Sequence, residues 1–211
     1  MKKTIFSIAM AMLWPKKSKT FYANFFFKCP PCIGFALLAC VSLPKPTYAQ
    51  DALTEVKIAN KVKSTFWTQN HKIYEKGEVK IGDFSQLKGN IIILDFWATW
   101  CTTCFAKFPV IDSLSKLPDV KIVLVNSIHT RDTEAKVKDK LDVWAKKGML
   151  QDVIQVYNDS YLLAAFPNRS LPHYVWIDRT GRVSAITGSD FLTRENVAKL
   201  INKRLPVIEI P

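Results

Sequence analysis

Two cysteines three positions apart, Cys101 and Cys104, have the types and spacing for thiol chemistry. Cys101 follows directly on the β-prone run Ile91-Ile92-Ile93-Leu94-Asp95-Phe96 and opens a segment with helical character. At a helix N-terminus the unpaired N–H groups and the positive end of the dipole favour an anion, so the Cys101 thiolate is stabilised there. A thiolate is the attacking species in disulfide exchange, and a second thiol one helical turn on can resolve the mixed disulfide. Cys101 is therefore the expected nucleophile and Cys104, further into the helix and more buried, the expected resolving thiol. The pair itself carries the electrons, so no cofactor and no metal is expected.

The elements that hold this pair follow from apolar patterning. Ile91 to Phe96 is continuous rather than alternating, the signature of a strand covered on both faces. A helix is predicted from about Thr102 to Leu117, and Val120 to Val125 reads as a second buried strand. Glu134 to Lys147 is amphipathic, with Val137, Leu141 and Trp144 on one face and Gly148 as its stop. Tyr174 to Asp178 and Val183 to Thr187 flank Arg179-Thr180-Gly181-Arg182, a hairpin signal. Thr193 caps a final helix through Leu205, with Glu195 in its first turn and Pro206 closing it. From Asp51 to about Lys80 only short alternations stand out, Val56/Ile58 and Val79/Ile81. The order β-α-β-α-β-β-α is an α/β class with a mixed sheet.

The chain has 211 residues, 48% of them hydrophobic, and a formal charge of +12. That charge is unevenly placed. Residues 1–50 hold seven lysines and no acid, while the rest carries 18 carboxylates against 23 bases, a net +5. Bases and acids alternate there, as in Arg131-Asp132-Thr133-Glu134, which reads as a solvated helix face. This is not a phosphate-binding stripe, and nucleic acid is not expected as a partner.

Residues 1–49 read as a targeting segment. Ile33 to Leu43 is shorter than the roughly 20 residues a bilayer requires, but it suits a secretory apolar region, preceded by Lys28. Thr47-Tyr48-Ala49 fits a signal peptidase, with cleavage after Ala49 and a periplasmic or otherwise exported product. Leu37-Leu38-Ala39-Cys40 offers the alternative of a lipoprotein anchored through Cys40. Cys29-Pro30-Pro31-Cys32 has redox spacing too, yet it lies in the leader with no strand before it. A four-cysteine zinc site with Cys101 and Cys104 would fix that leader to the domain.

Asp95-Phe96-Trp97-Ala98-Thr99-Trp100-Cys101-Thr102-Thr103-Cys104 resembles the active-site segment of the thioredoxin superfamily, and most nearly the exported TlpA/ResA-like reductases. The resemblance extends over roughly residues 79–205 of a domain spanning 51–211. It implies a thioredoxin-like fold, a central mixed β-sheet flanked by helices, with a TlpA/ResA-type helical insertion between Val125 and Pro172. Pro109 matches the family's proline in the active-site helix, and Gly188 a glycine after the hairpin. Leu171-Pro172 falls where the family has its cis-proline. In cis, Pro172 would turn the backbone toward the disulfide and leave Leu171 to pair with a substrate strand; the plain alternative is an ordinary trans loop proline. Asp95 is the lone acid in an apolar strand, so burial should raise its pKa. The resemblance implies that it relays a proton for the resolving thiol, against the alternative of a solvated strand-end carboxylate. Trp97 and Trp100 suit an apolar rim that receives substrate and equally suit plain packing.

Two departures stand out. Lys107 occupies the place where TlpA/ResA-like proteins often have glutamate. Thr102-Thr103 supplies neither the charge nor the imidazole of strongly oxidising relatives, which tilts the reading to a reductant. The implied partners are disulfide-containing protein substrates and a membrane-bound electron donor, served by a monomer. Of the histidines, His71 and His129 show no ligand spacing, and His173, next to Pro172, is either a bystander or a tuner of Cys101. Two other functions on the same fold are weighed: a redox-inert binding or chaperone module, and a peroxide reductase, whose Pro-x-x-x-Thr-x-x-Cys context is absent around Cys101.

Overall fold

The computed structural model describes residues 55–75 and 78–202, with the backbone of 208–209. The expected leader and the expected cleavage site after Ala49, with Cys29, Cys32 and Cys40, lie outside the described residues. At the centre is β3 (Ile91–Trp97), in which every residue is buried, as the unbroken apolar run predicts. It pairs in parallel with β4 (Val120–Ser127) and antiparallel with β6 (His173–Ile177). β6 turns through Arg179–Arg182 into antiparallel β7 (Val183–Thr187).

Four strands lie beyond that expected core. β1 (His71–Glu75) and β2 (Glu78–Gly82) are antiparallel neighbours. β5 (Ile154–Asp159) joins them to the core, antiparallel to β1 and parallel to β4. β8 (Ile208–Glu209) extends the other edge. The mixed sheet runs in the order β2-β1-β5-β4-β3-β6-β7-β8. β2 is mostly exposed, and its Lys80 pairs with Glu75 across the hairpin; a charged edge of this kind discourages pairing with other chains.

Strand alternation assigns the two faces. Ile91, Ile93 and Trp97 of β3 share one apolar cluster with residues of α2 (Thr102–Ser115), α3 (Glu134–Lys146) and α5 (Arg194–Ile201). Ile92, Leu94 and Phe96 face the other way, against Phe66 of α1 (Ser64–Thr68) and Leu162 and Ala165 of α4 (Tyr161–Ala165). The fold class is as expected. The active-site helix stops at Ser115, short of Leu117, and the last helix reaches only Ile201 among the described residues.

The stretch between Val125 and Pro172, expected as an insertion, holds α3, β5 and α4. Thr133 caps α3 by accepting the Lys136 amide at 3.4 Å, and Gly148 leaves the helix with φ +72°, where glycine is least strained. Val137 and Leu141 are buried, and the Trp144 ring stands 5.3 Å from Phe108 of α2. Asp112 of α2 fastens the far end: its Oδ1 accepts the Leu150 amide at 2.7 Å and its Oδ2 the Lys116 ammonium at 2.7 Å. This stretch is thus bound to the helix that carries the cysteines.

Candidate active site

Cys101 is the residue at which β3's trailing loop becomes α2, and Cys104 sits in the first turn. They form a disulfide with Cα atoms 5.3 Å apart. Cys101 is the N-cap: its backbone is extended, and its Sγ accepts the Cys104 amide at 3.2 Å. One orphan N–H of the helix is therefore aimed at the sulfur that would carry the negative charge. Charge at such a terminus gains about 0.3–2 kcal/mol. Cys101 retains 6% exposure and Cys104 none, so access also separates the two. Thr102 and Thr103 between them are exposed.

Asp95 lies in the middle of β3, in register with Leu124 of β4 and Tyr174 of β6. It is fully buried, and neither carboxyl oxygen has a hydrogen-bond partner. By alternation it points to the same face as Ile93 and Trp97, the face that Cys104 and α2 cover. Burial drives its pKa well above the usual carboxylate range. The solvated alternative is thereby removed. A buried carboxyl without a hydrogen-bond partner costs about 1–3 kcal/mol or more. Tyr174, which the sequence reading does not single out, faces the same interior, its hydroxyl buried and unpaired. Burial and the Asp95 charge push that hydroxyl far above its ordinary pKa.

The tryptophans divide. Trp97 does not form a rim: it is 1% exposed, with its ring edge-on to Phe108 at 5.6 Å and to Phe105 at 6.1 Å. An odd-numbered β3 position must point under α2, which is why it packs there. Trp100, in the loop, is 63% exposed, and its indole N–H donates to Thr130 O at 3.3 Å. The Leu171–Pro172 bond is cis. Pro172 is buried, and Leu171 stands just outside the sheet pairing, which starts at Phe96 with His173. A cavity of about 280 Å³ opens between Trp100 and Leu171, with His129, Thr130 and Arg169 on its wall.

His173 belongs to the opposite face. Its ring contacts Phe96 at 5.5 Å, and burial lowers its pKa to about 4, leaving a neutral imidazole with Nε2 unpaired. Alternation thus turns it away from the face that holds Cys104. His71 is remote as well: its Nδ1 bonds Asp159 Oδ2 at 2.6 Å, and the ring stacks on Phe84. Among the described residues, no group of three or more His, Cys, Asp or Glu is arranged to hold a metal ion.

One element of the site escapes the sequence reading. Asp132 belongs to a stretch that reads as solvated charge, yet its carboxylate turns inward to the loop before Cys101. Oδ2 accepts the Thr99 amide at 2.9 Å and the Asn126 side-chain amide at 2.7 Å, while Oδ1 accepts the Thr99 hydroxyl. The cysteine loop is thus tied to the end of β4 and the start of α3. The sequence carries a faint signal, an acid next to the helix cap Thr133, but nothing in it points 33 residues back.

The chain is 26% identical over 125 residues to the thiol-disulfide oxidoreductase ResA of a Bacillus cereus strain, covering 59% of this chain and 69% of that protein. It is 42% identical over 53 residues to the thiol:disulfide interchange protein DsbE of Vibrio cholerae, a match covering 25% of this chain and 28% of DsbE. Among solved structures, MTB dsbF superposes with a TM-score of 0.52 at 22% identity, over 65% of this chain and 98% of dsbF. The fold is thioredoxin-like. No protein-family model matches the chain. ResA and DsbE are thiol–disulfide oxidoreductases, and this chain resembles them in sequence and carries a Cys101–Cys104 disulfide at the β3–α2 junction.

Proposed function

We propose that this thioredoxin-like protein is exported and reduces protein disulfides outside the cytoplasm, with Cys101 as nucleophile and Cys104 as resolving thiol. The observation that carries the direction is the modest stabilisation offered to the Cys101 sulfur. A helix terminus and the Cys104 amide at 3.2 Å favour the thiolate. Thr102 and Thr103 add no charge, and His173 faces the other side of the sheet. A thiolate stabilised only so far is a strong nucleophile and a poor oxidant.

In the reaction the Cys101 thiolate attacks one sulfur of a substrate disulfide, and the other leaves as a substrate thiolate. Cys104 then gives up its proton and attacks Cys101 Sγ, which releases the second substrate thiolate. Two electrons have passed to the substrate, and the protein is left with the Cys101–Cys104 disulfide. Asp95 takes the Cys104 proton in this reading: it is buried on the sheet face that Cys104 covers, and burial raises its pKa above that of an ordinary carboxylate. Leu171 and Pro172 border the approach of the substrate backbone, with Trp100 opposite.

A membrane-bound donor would return the two electrons to a monomeric protein released by cleavage after Ala49, or held through Cys40. No helix among the described residues is long and apolar enough to cross a membrane. The deciding experiment is the reduction potential of the pair. A value close to the thioredoxin poise of about −270 mV supports the reductase. A value near the roughly −120 mV of DsbA makes the protein an oxidant.

A further inference from the structure

The cavity of about 280 Å³ between Trp100 and Leu171 borders both the residue that precedes Cys101 and the loop that leads into β6. Its wall is built from distant parts of the chain. His129 and Thr130 come from the turn after β4, Arg169 and Leu171 from the loop before β6. The turn is held in place by Trp100 Nε1 on Thr130 O and by Thr130 Oγ1 on Ser127 O at 2.9 Å. The charge on this wall is one-sided. Arg169 supplies a guanidinium and His129 an imidazole, and among the described residues that line it none is a carboxylate. The nearest acid along the turn, Asp132, already accepts three hydrogen bonds from Thr99 and Asn126.

We propose that this cavity is a specificity site that accepts an acidic side chain, Asp or Glu, one or two residues from the reacting cysteine of the substrate peptide. The inference rests on the reductase reading above and names the substrates that reading prefers. A peptide whose cysteine is bonded to Cys101 Sγ runs past Trp100 and Leu171. At about 3.3 Å per extended residue, a side chain one or two positions away falls within the cavity. There the guanidinium can take its carboxylate through paired N–H donors, while the exposed Trp100 ring covers the apolar stem.

The test uses three disulfide-bearing peptides that differ only in carrying Glu, Gln or Lys at those neighbouring positions, reacted with the reduced full-length protein in stopped flow. At low ionic strength the Glu peptide should react about two- to fivefold faster than the Gln peptide, the range of one exposed ion pair, and the Lys peptide slower. The preference should shrink as salt is raised. Arg169→Gln should bring the Glu peptide down to the Gln peptide's rate, and Arg169→Glu should invert the order. The Arg169 side chain is exposed, so unchanged near-UV dichroism is expected for both variants. Equal rates on all three peptides, or a Glu preference that survives Arg169→Gln, would overturn the inference alone. Wild-type protein inert toward every peptide would overturn the reductase reading and this inference with it.

Discussion

The Asp132 carboxylate grips Thr99 at two points, its backbone amide and its hydroxyl, and thereby fixes the residue two places before Cys101. Asp132→Ala leaves a partly buried amide without its acceptor, at a cost of about 1–3 kcal/mol. For a domain of this size that corresponds to a melting temperature lower by roughly 2–12 °C. Because the same loop sets Cys101 as helix cap, the pH at which the reduced Cys101 ionises should rise, read by thiolate absorbance in the far ultraviolet. A purely structural role would move the melting temperature and leave that ionisation unchanged.

Asp95 makes two separable predictions. Asp95→Asn should slow release of the mixed disulfide while leaving the first attack nearly intact, since the proposed proton transfer belongs to Cys104. Stopped-flow traces in which the attack step slows instead would remove Asp95 from the relay.

The second concerns stability. The folded protein holds the Asp95 proton more tightly than the unfolded chain, whose ordinary value is 3.8. The resulting stabilisation is complete below that value and is lost as pH rises toward the folded pKa. The loss runs at about 1.4 kcal/mol per pH unit. Asp95→Asn does not titrate, so urea melts over a series of rising pH above that ordinary value should show it gaining on wild type. A constant difference across the series would mean that the carboxyl ionises in place without penalty.

His173 has the opposite sign. Its folded pKa of about 4 lies below the ordinary 6.5, so the unfolded chain binds the proton first. The neutral ring's contribution is present above pH 6.5 and is lost as pH falls toward 4. His173→Phe, packed against Phe96, should therefore gain on wild type as the solution is acidified, by up to about 1.4 kcal/mol per unit. If the two acid limbs run parallel, His173 is protonated in the folded state at little cost.

Much of the site is legible in the sequence because it depends on local features. An unbroken apolar run marks a doubly covered strand, a cysteine directly after it marks the helix start, and one acid inside that run stands out. The cis peptide before Pro172 is legible too, through the resemblance. What escapes depends on partners distant in the chain. Trp97 reads equally as rim or packing because its face is set by strand parity relative to α2, and His173 draws attention by sequence neighbourhood while parity sends it to the other face. Asp132 looks like one charge among many until the fold brings Thr99 to it. β5 is hidden because Ile154–Asp159 mixes polar and apolar residues, and the β1–β2 hairpin because its outer strand is largely exposed.

The central claim is the division of labour between the two sulfurs, and trapping tests it most directly. Cys101 is capped by an amide and keeps some exposure, whereas Cys104 is fully buried. Cys104→Ser should attack substrate proteins and fail to resolve, so that adducts sensitive to reductant accumulate on non-reducing gels from an exporting host. Cys101→Ser should abolish disulfide reduction and trap nothing. Adducts on Cys101→Ser with none on Cys104→Ser would contradict the assignment, and adducts on neither would make the disulfide a structural one.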